Sequence, residues 1–167
     1  MEKSLFWDSS DDDRVLIAED FLSYFSVMIS PGIFPSIADN LKVLPGSGLS
    51  VVVSPGRASL ENARLYQLDS PKTLPVSPDM SFPRINRVVV RCDKINREIT
   101  AEILQGTPAA NPSPPTLTRN VSVWELCLAN VYIPGNAGGV APGNITDTRL
   151  DQSLCGVVNS LVGAVYE

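Results

Sequence analysis

The sequence contains no histidine. That absence removes Ser-His and Cys-His nucleophilic pairs, imidazole metal ligands and the usual general base near neutral pH. Other catalytic signatures are missing too. The residues three before Lys42, Lys72 and Lys94 are Asp39, Asp69 and Arg91, so no Ser-x-x-Lys dyad exists, and there is no GxSxG elbow. The Gly-rich segments Gly46 to Gly48 and Gly135 to Gly143 lack the Lys-Ser/Thr ending of a phosphate-binding loop. Cysteine is scarce. Cys92, Cys127 and Cys155 are widely spaced with no CxxC pair, which argues against a zinc or redox motif, and their apolar neighbourhoods predict buried free thiols.

Long apolar runs are also lacking. No stretch approaches the roughly 18 apolar residues of a membrane span. The start, Met1-Glu2-Lys3-Ser4, leads into Asp8 and Asp11-Asp12-Asp13 without the basic and apolar stretches of a secretory signal. The expectation is a chain made and folded in a cytosol, so the sequons at Asn120 and Asn144 carry little weight. Positive charge is thin: the net charge is −5 and the arginines are spread singly, which is not the footprint of a nucleic-acid binder.

What is present is a folded composition. Hydrophobic residues make up 44% and charged residues 19% of 167, enough for one domain with a core and too apolar for a disordered chain. Phe21, Tyr24, Phe25 and Met28 fall on one face of a helix within Asp13 to Ser30, ended by Pro31-Gly32. Glu19 and Asp20 suit the positive end of its dipole, and an aromatic stripe of this kind is ordinarily core packing. From Leu41 the texture changes to short apolar runs cut by Pro and Gly. Leu49 to Val53 and Ala58 to Leu68 read as short antiparallel strands joined by tight turns, and Pro71 to Pro83 as a loop.

The clearest hairpin pairs Arg87 to Cys92 with Arg97 to Ile103. The link Asp93 to Asn96 favours Cys92 opposite Arg97, Arg91 opposite Glu98 and Arg87 opposite Glu102, with Val88, Val90, Ile99 and Ala101 sharing a face. Gly106 to Pro115 is Pro-rich. Val121 to Ile133 is apolar on both faces, like a central strand. Pro134 to Gly143 reads as a surface loop. Leu150, Leu154, Val157, Val158, Leu161, Val162 and Val165 form a helical stripe, weakened by Gly156 and Gly163, that needs cover. No internal repeat is found. The expected organisation is one domain, 1–167, with an acidic arm over 1–12, a β domain over 13–156 and a tail over 157–167.

Carboxylates are the remaining source of chemistry. Glu98 and Glu102 on one strand face leave a two-carboxylate glycosidase formally open, but cross-strand pairing with Arg87 and Arg91 accounts for the same four charges. Asp8, Asp11, Asp12 and Asp13 invite a calcium reading, yet lack the Gly and closing Glu of an EF-hand loop; a solvated arm is the commoner outcome. Asp147 and Asp151 around Arg149 are better read as a turn with local ion pairing than as a cation site. Pro112-Ser113-Pro114-Pro115 matches PxxP, ordinarily a rigid connector. No catalytic, cofactor-binding or metal-binding residue is assigned.

Certain blocks, taken together, carry a further pattern. They run from Asp13-Arg14, Ala18-Glu19-Asp20-Phe21 and Phe25, through Pro55-Gly56-Arg57-Ala58, to Pro83-Arg84-Ile85-Asn86-Arg87-Val88-Val89-Val90-Arg91 and Asn96-Arg97-Glu98-Ile99. Gly106 to Pro112, Leu117-Thr118-Arg119, Trp124 to Ala129, Ile145 to Asp151 and Leu154-Cys155-Gly156 follow. In this order the chain resembles the N-terminal shoulder, or baseplate-attachment, domains of tail proteins from siphophages and prophages of Gram-positive bacteria. The resemblance implies a mainly β (α+β) fold: an antiparallel β-sandwich-like shoulder with an N-terminal helix, to which the tail stripe adds a C-terminal helix. It implies a non-enzymatic virion protein of the tail tip or baseplate, without cofactor, assembled in the bacterial host cytoplasm. Its partners would be other phage tail proteins and copies of itself, with no nucleic acid and no membrane insertion. In larger relatives a host-recognising head follows the Leu-Cys-Gly block; here the sequence ends 11 residues after it, so attachment is easier to support than host binding. The alternative is a carbohydrate-binding module touching host cell-wall glycan, for which Trp7 is the tryptophan expected to be exposed.

Overall fold

The computed structural model describes residues 17–35 and 39–163. The acidic arm and its calcium reading, and Trp7, lie outside them. Among the described residues the chain is mainly β, with three antiparallel sheets and a single α-helix.

The helix α1 spans Ala18–Ser26. It opens on a reciprocal cap. The Asp20 carboxylate accepts the Ile17 amide at 3.1 Å, while the Asp20 amide donates to the Ile17 carbonyl at 3.0 Å. The helix ends where the amides of Met28 and Ile29 turn back to the Phe25 carbonyl, short of Pro31. Its aromatic stripe departs from the expected core role: Phe21, Tyr24 and Phe25 each remain about half exposed (46%, 51% and 49%), whereas the partly buried Leu22 lines a groove.

Strands β1 (Gly32–Ile33), β2 (Val43–Pro45), β3 (Ser50–Val53), β4 (Gly56–Ser59), β5 (Leu65–Leu68) and β6 (Lys72–Pro75) make two three-stranded sheets, ordered β1-β4-β5 and β2-β3-β6. Ala58 to Leu68 divides into a hairpin because Asn62 and Ala63 adopt left-handed backbone, with φ of 57° and 56°. β6 lies inside the stretch expected to be a loop. It survives its proline because it is an edge strand: Pro75 sits at the strand end opposite Ser50, while Leu74 turns into the core.

Strands β7 (Arg84–Asp93), β8 (Glu98–Leu104), β9 (Val123–Ile133) and β10 (Ile145–Asp147) form the third sheet, in the order β10-β9-β7-β8. The β7–β8 hairpin keeps Val88, Val90, Ile99 and Ala101 on the core face, but its register differs by two residues from the one expected. Cys92 faces Ile99, Arg91 faces Thr100 and Asp93 faces Glu98. The cause is the turn. The Asp93 carboxylate accepts the amides of Ile95 and Asn96 at 2.9 Å each, and Arg97 takes the left-handed position (φ 57°), so the loop becomes Lys94 to Arg97.

β9 explains its own misleading pattern. Opposite Val88 and Val89 stand Ala129 and Cys127, so Leu128 is an extra residue, a β-bulge. Trp124 and Leu126 before the bulge, and Val131 and Ile133 after it, all face the core, joined by both Leu128 and Ala129. The strand alternates, with one phase slip, rather than being apolar on both faces. Core side chains from all three sheets form one hydrophobic cluster.

The expected C-terminal helix is absent from residues 150–163. They form turns followed by an extended segment. Gly156, at φ 82°, breaks the helical course. The segment beyond it folds back along residues 28–33: the Ile33 amide donates to the Gly156 carbonyl, Val158 to Ile33, Ser30 to Asn159 and Leu161 to Met28, all at 2.9–3.0 Å. These interstrand bonds replace the intrahelical ones, and they leave Leu161, Val162 and, further back, Leu150 exposed. Val165 lies outside the described residues. The close approach depends on Gly32. Its φ is 145°, and a Cβ there would lie 2.6 Å from the Val157 carbonyl carbon.

Gly32→Ala should therefore lower stability by about 2 kcal/mol or more and release residues 156–161. Denaturant melts and limited proteolysis check this; an unchanged midpoint with no new cleavage would show that the tail does not need the glycine.

Candidate functional site

Three features could carry function: the face of the large sheet turned away from the core, a groove at the hairpin tip, and the ends of the sheet. The first is the most elaborately built. Arg87, Val89 and Arg91 of β7 point there, opposite Asn130, Cys127 and Glu125 of β9. Glu125 is fully buried (0% exposed). Its carboxylate accepts Arg91 Nη1 at 2.7 Å and the Thr118 amide at 2.6 Å, and Arg91 also lies 3.7 Å from Glu102. Arg119 bridges outward. Its Nε donates to the Glu125 carbonyl (3.1 Å), Nη1 to Ser153 (2.8 Å) and Nη2 to Leu154 (2.7 Å), and its guanidinium lies over the Trp124 ring. Thr148 Oγ1 donates to the Cys127 carbonyl at 2.8 Å. The arrangement ties the segment after β8, the central strands and the tail turn into one polar layer. Apart from the buried Arg87 Nε, which has no acceptor among the described residues, its donors and acceptors bond one another, which suits a fastening.

The charges anticipated from sequence are therefore distributed differently. Arg91 takes Glu125 as its close partner rather than Glu98, a residue that sequence reasoning had left among the core-strand apolar set. Its signal was a lone carboxylate inside an apolar run, which requires a partner when buried. Glu98 and Glu102 do share a strand face, but four residues along a strand separate them by roughly 13 Å, beyond the roughly 5–9.5 Å of glycosidase carboxylate pairs. They do not form such a dyad. Arg149 chelates Asp147 through Nε and Nη2, at 2.9 and 2.7 Å, and reaches the carbonyls of Asp39 and Asn40. Those bonds to Arg149 hold the Asp147 carboxyl below its usual range. Asp151 instead accepts from Ser153. The pair thus acts as a turn, as its sequence suggested. Among the described residues no group of three or more His, Cys, Asp or Glu could hold a metal, and no helix is long and apolar enough to cross a membrane.

The groove, about 580 Å³, lies between α1 and the hairpin tip and is lined by Leu22, Leu65, Arg64, Lys94, Arg97 and Glu98. Part of its charge is paired internally: Arg64 bonds Glu19 at 2.5 Å and Lys94 bonds Glu61. The three cysteines are buried and free. Burial raises all three thiols, Cys155 to about 12. No family model matches this chain, no curated protein matches it, and no solved structure matches it.

Two outcomes follow from this geometry. Glu125→Gln should cost about 2–3 kcal/mol, since it leaves Arg91 short of a counterion in a dry layer, while Glu102→Gln should stay within about 0.5 kcal/mol; equal effects in denaturant melts would remove the special place given to Glu125. The thiols should resist a soluble thiol reagent in native buffer and react together on unfolding, and rapid native labelling of two or more would contradict their burial.

Proposed function

We propose that this chain is a non-enzymatic structural protein of a siphophage tail tip or baseplate, which attaches or adapts neighbouring tail components. The supporting observation is where the resembling sequence blocks meet. Thr118 and Arg119 bond to Glu125, and Arg119 bonds also to Leu154. Thr148 bonds to Cys127, and the Gly106 amide donates to the buried side chain of Asn86 at 2.9 Å. Blocks far apart in the chain close on one another through directed hydrogen bonds, as the parts of one fold pattern would.

The surface suits such a role. The half-exposed Tyr24 and Phe25 lie on the helix whose C-terminal extension, at Met28, meets Leu161. Apolar surface of this kind is the material of protein contacts. Rings at a tail tip are closed symmetric assemblies, so each copy needs self-complementary or head-to-tail surfaces. The carbohydrate reading has less behind it, because the Trp124 ring is partly buried and covered by Arg119 instead of standing open for a sugar.

The test is fractionation of cells infected with, or induced for, the phage that carries this gene. The protein should band with purified virions, disappear with the gene, and be retained by a tail-protein bait. Its absence from virions together with no retention would reject the reading, and retention on cell-wall polymer alone would favour glycan binding.

A further inference from the structure

Among the described residues three arginines, Arg64, Arg84 and Arg87, have a buried Nε without an acceptor, and Arg84 is the one whose whole side chain is buried. Arg84 opens β7 opposite Ile133, and its side chain is only 8% exposed. A guanidinium carries five N–H donors, yet Arg84 makes no hydrogen bond among the described residues, and its buried Nε has no acceptor. The nearest carboxylate oxygen, Asp79 Oδ2, stands 3.9 Å from Nη2, too far for a hydrogen bond. Asp79 Oδ1 accepts the amides of Ser81 and Phe82 at 2.9 Å each, which leaves Oδ2 facing Arg84 as a long ion pair without a hydrogen bond. By contrast, Arg91, Arg119 and Arg149 each reach an acceptor at 2.7 Å.

The surroundings add an apolar rim. Met80 (81% exposed) and Phe82 (50%) flank Ser81 in the turn that precedes β7. The turn is held in place by the Asn136 amide, which donates to the Asp79 carbonyl at 2.7 Å, and by Gly135, which packs against Ser81.

We propose that Arg84 receives a carboxylate presented by a partner protein, with Met80 and Phe82 covered by apolar side chains beside that acid. A carboxylate offers the paired acceptors that a guanidinium fork fits. A free small anion would satisfy Arg84 but leave the rim exposed, so the acid should come on a polypeptide. In the tail-tip reading, on which the identity of the partner rests, this is a neighbouring tail protein.

The experiment uses the full-length protein labelled with ¹⁵N. A buried Nε–H exchanges slowly with water, and the Arg84 signal is identified by its loss in Arg84→Lys. Sodium acetate is titrated against sodium chloride at constant ionic strength, followed by a blocked Asp-Phe dipeptide and its Asn-Phe analogue. Acetate should shift the Arg84 signal saturably. Asp-Phe should bind about tenfold more tightly, a gain of about 1.4 kcal/mol, and Asn-Phe should be silent. Met80→Ala with Phe82→Ala should erase the dipeptide's advantage but keep the acetate response. No saturable shift, or an equal shift of every arginine, overturns the site; equal affinity for acetate and Asp-Phe overturns the protein source. Neither result touches virion fractionation, so the site can fail while the tail-tip reading stands.

Discussion

The structure turns on one buried carboxylate. Glu125 sits near the start of the longest strand among the described residues, with no exposure to water, and an unpaired charge there would not be tolerated. Arg91 from the next strand and the Thr118 amide satisfy it, and Arg119, one residue on, carries the same tie to the tail turn at Ser153 and Leu154. The Pro-rich stretch between β8 and β9 has no strand partner of its own. These bonds fix its far end as the Gly106–Asn86 bond fixes its near end. A segment with fourfold proline would otherwise have little reason to lie against the sheet.

This dependence also explains what could be read from sequence. The β hairpin, the mainly β class, the N-terminal helix, the buried thiols and the Asp147–Arg149 turn follow from local rules, namely alternation, turn residues and neighbouring charges. What eluded those rules was set by distant contacts. The register of β7 and β8 depended on which side chain capped the turn, and Asp93 moved it by two residues. The phase slip at Leu128 made an alternating strand look uniformly apolar. The Leu150 to Val165 stripe had helical spacing, but over residues 156–161 a left-handed Gly156 and a partner segment more than 120 residues away favoured extended backbone. Glu125 was legible only as an anomaly within an apolar run; its partner could not be chosen among several arginines without the sheet order.

Polar groups on the outer face of the large sheet fasten loops to strands, and in the groove beside α1 Arg64 pairs with Glu19 and Lys94 with Glu61. The apolar material left at the surface collects at α1 and at the end of the sheet near Met80 and Phe82. Such an arrangement suits the contact role proposed for a tail-tip component.

The return of residues 156–161 onto residues 28–33 has a consequence for how the chain folds. During synthesis residues 28–33 emerge early and β1 can pair with β4 soon after, but the backbone partners on their other side, residues 156–161, are made more than a hundred residues later. Until then the amides of Ser30 and Ile33 have only water to bond, and this corner must wait, open, while the large sheet forms without it. Closing so long a loop carries an entropic cost that local hairpins escape. The corner should therefore be the last to lock and, in the finished protein, the first to open.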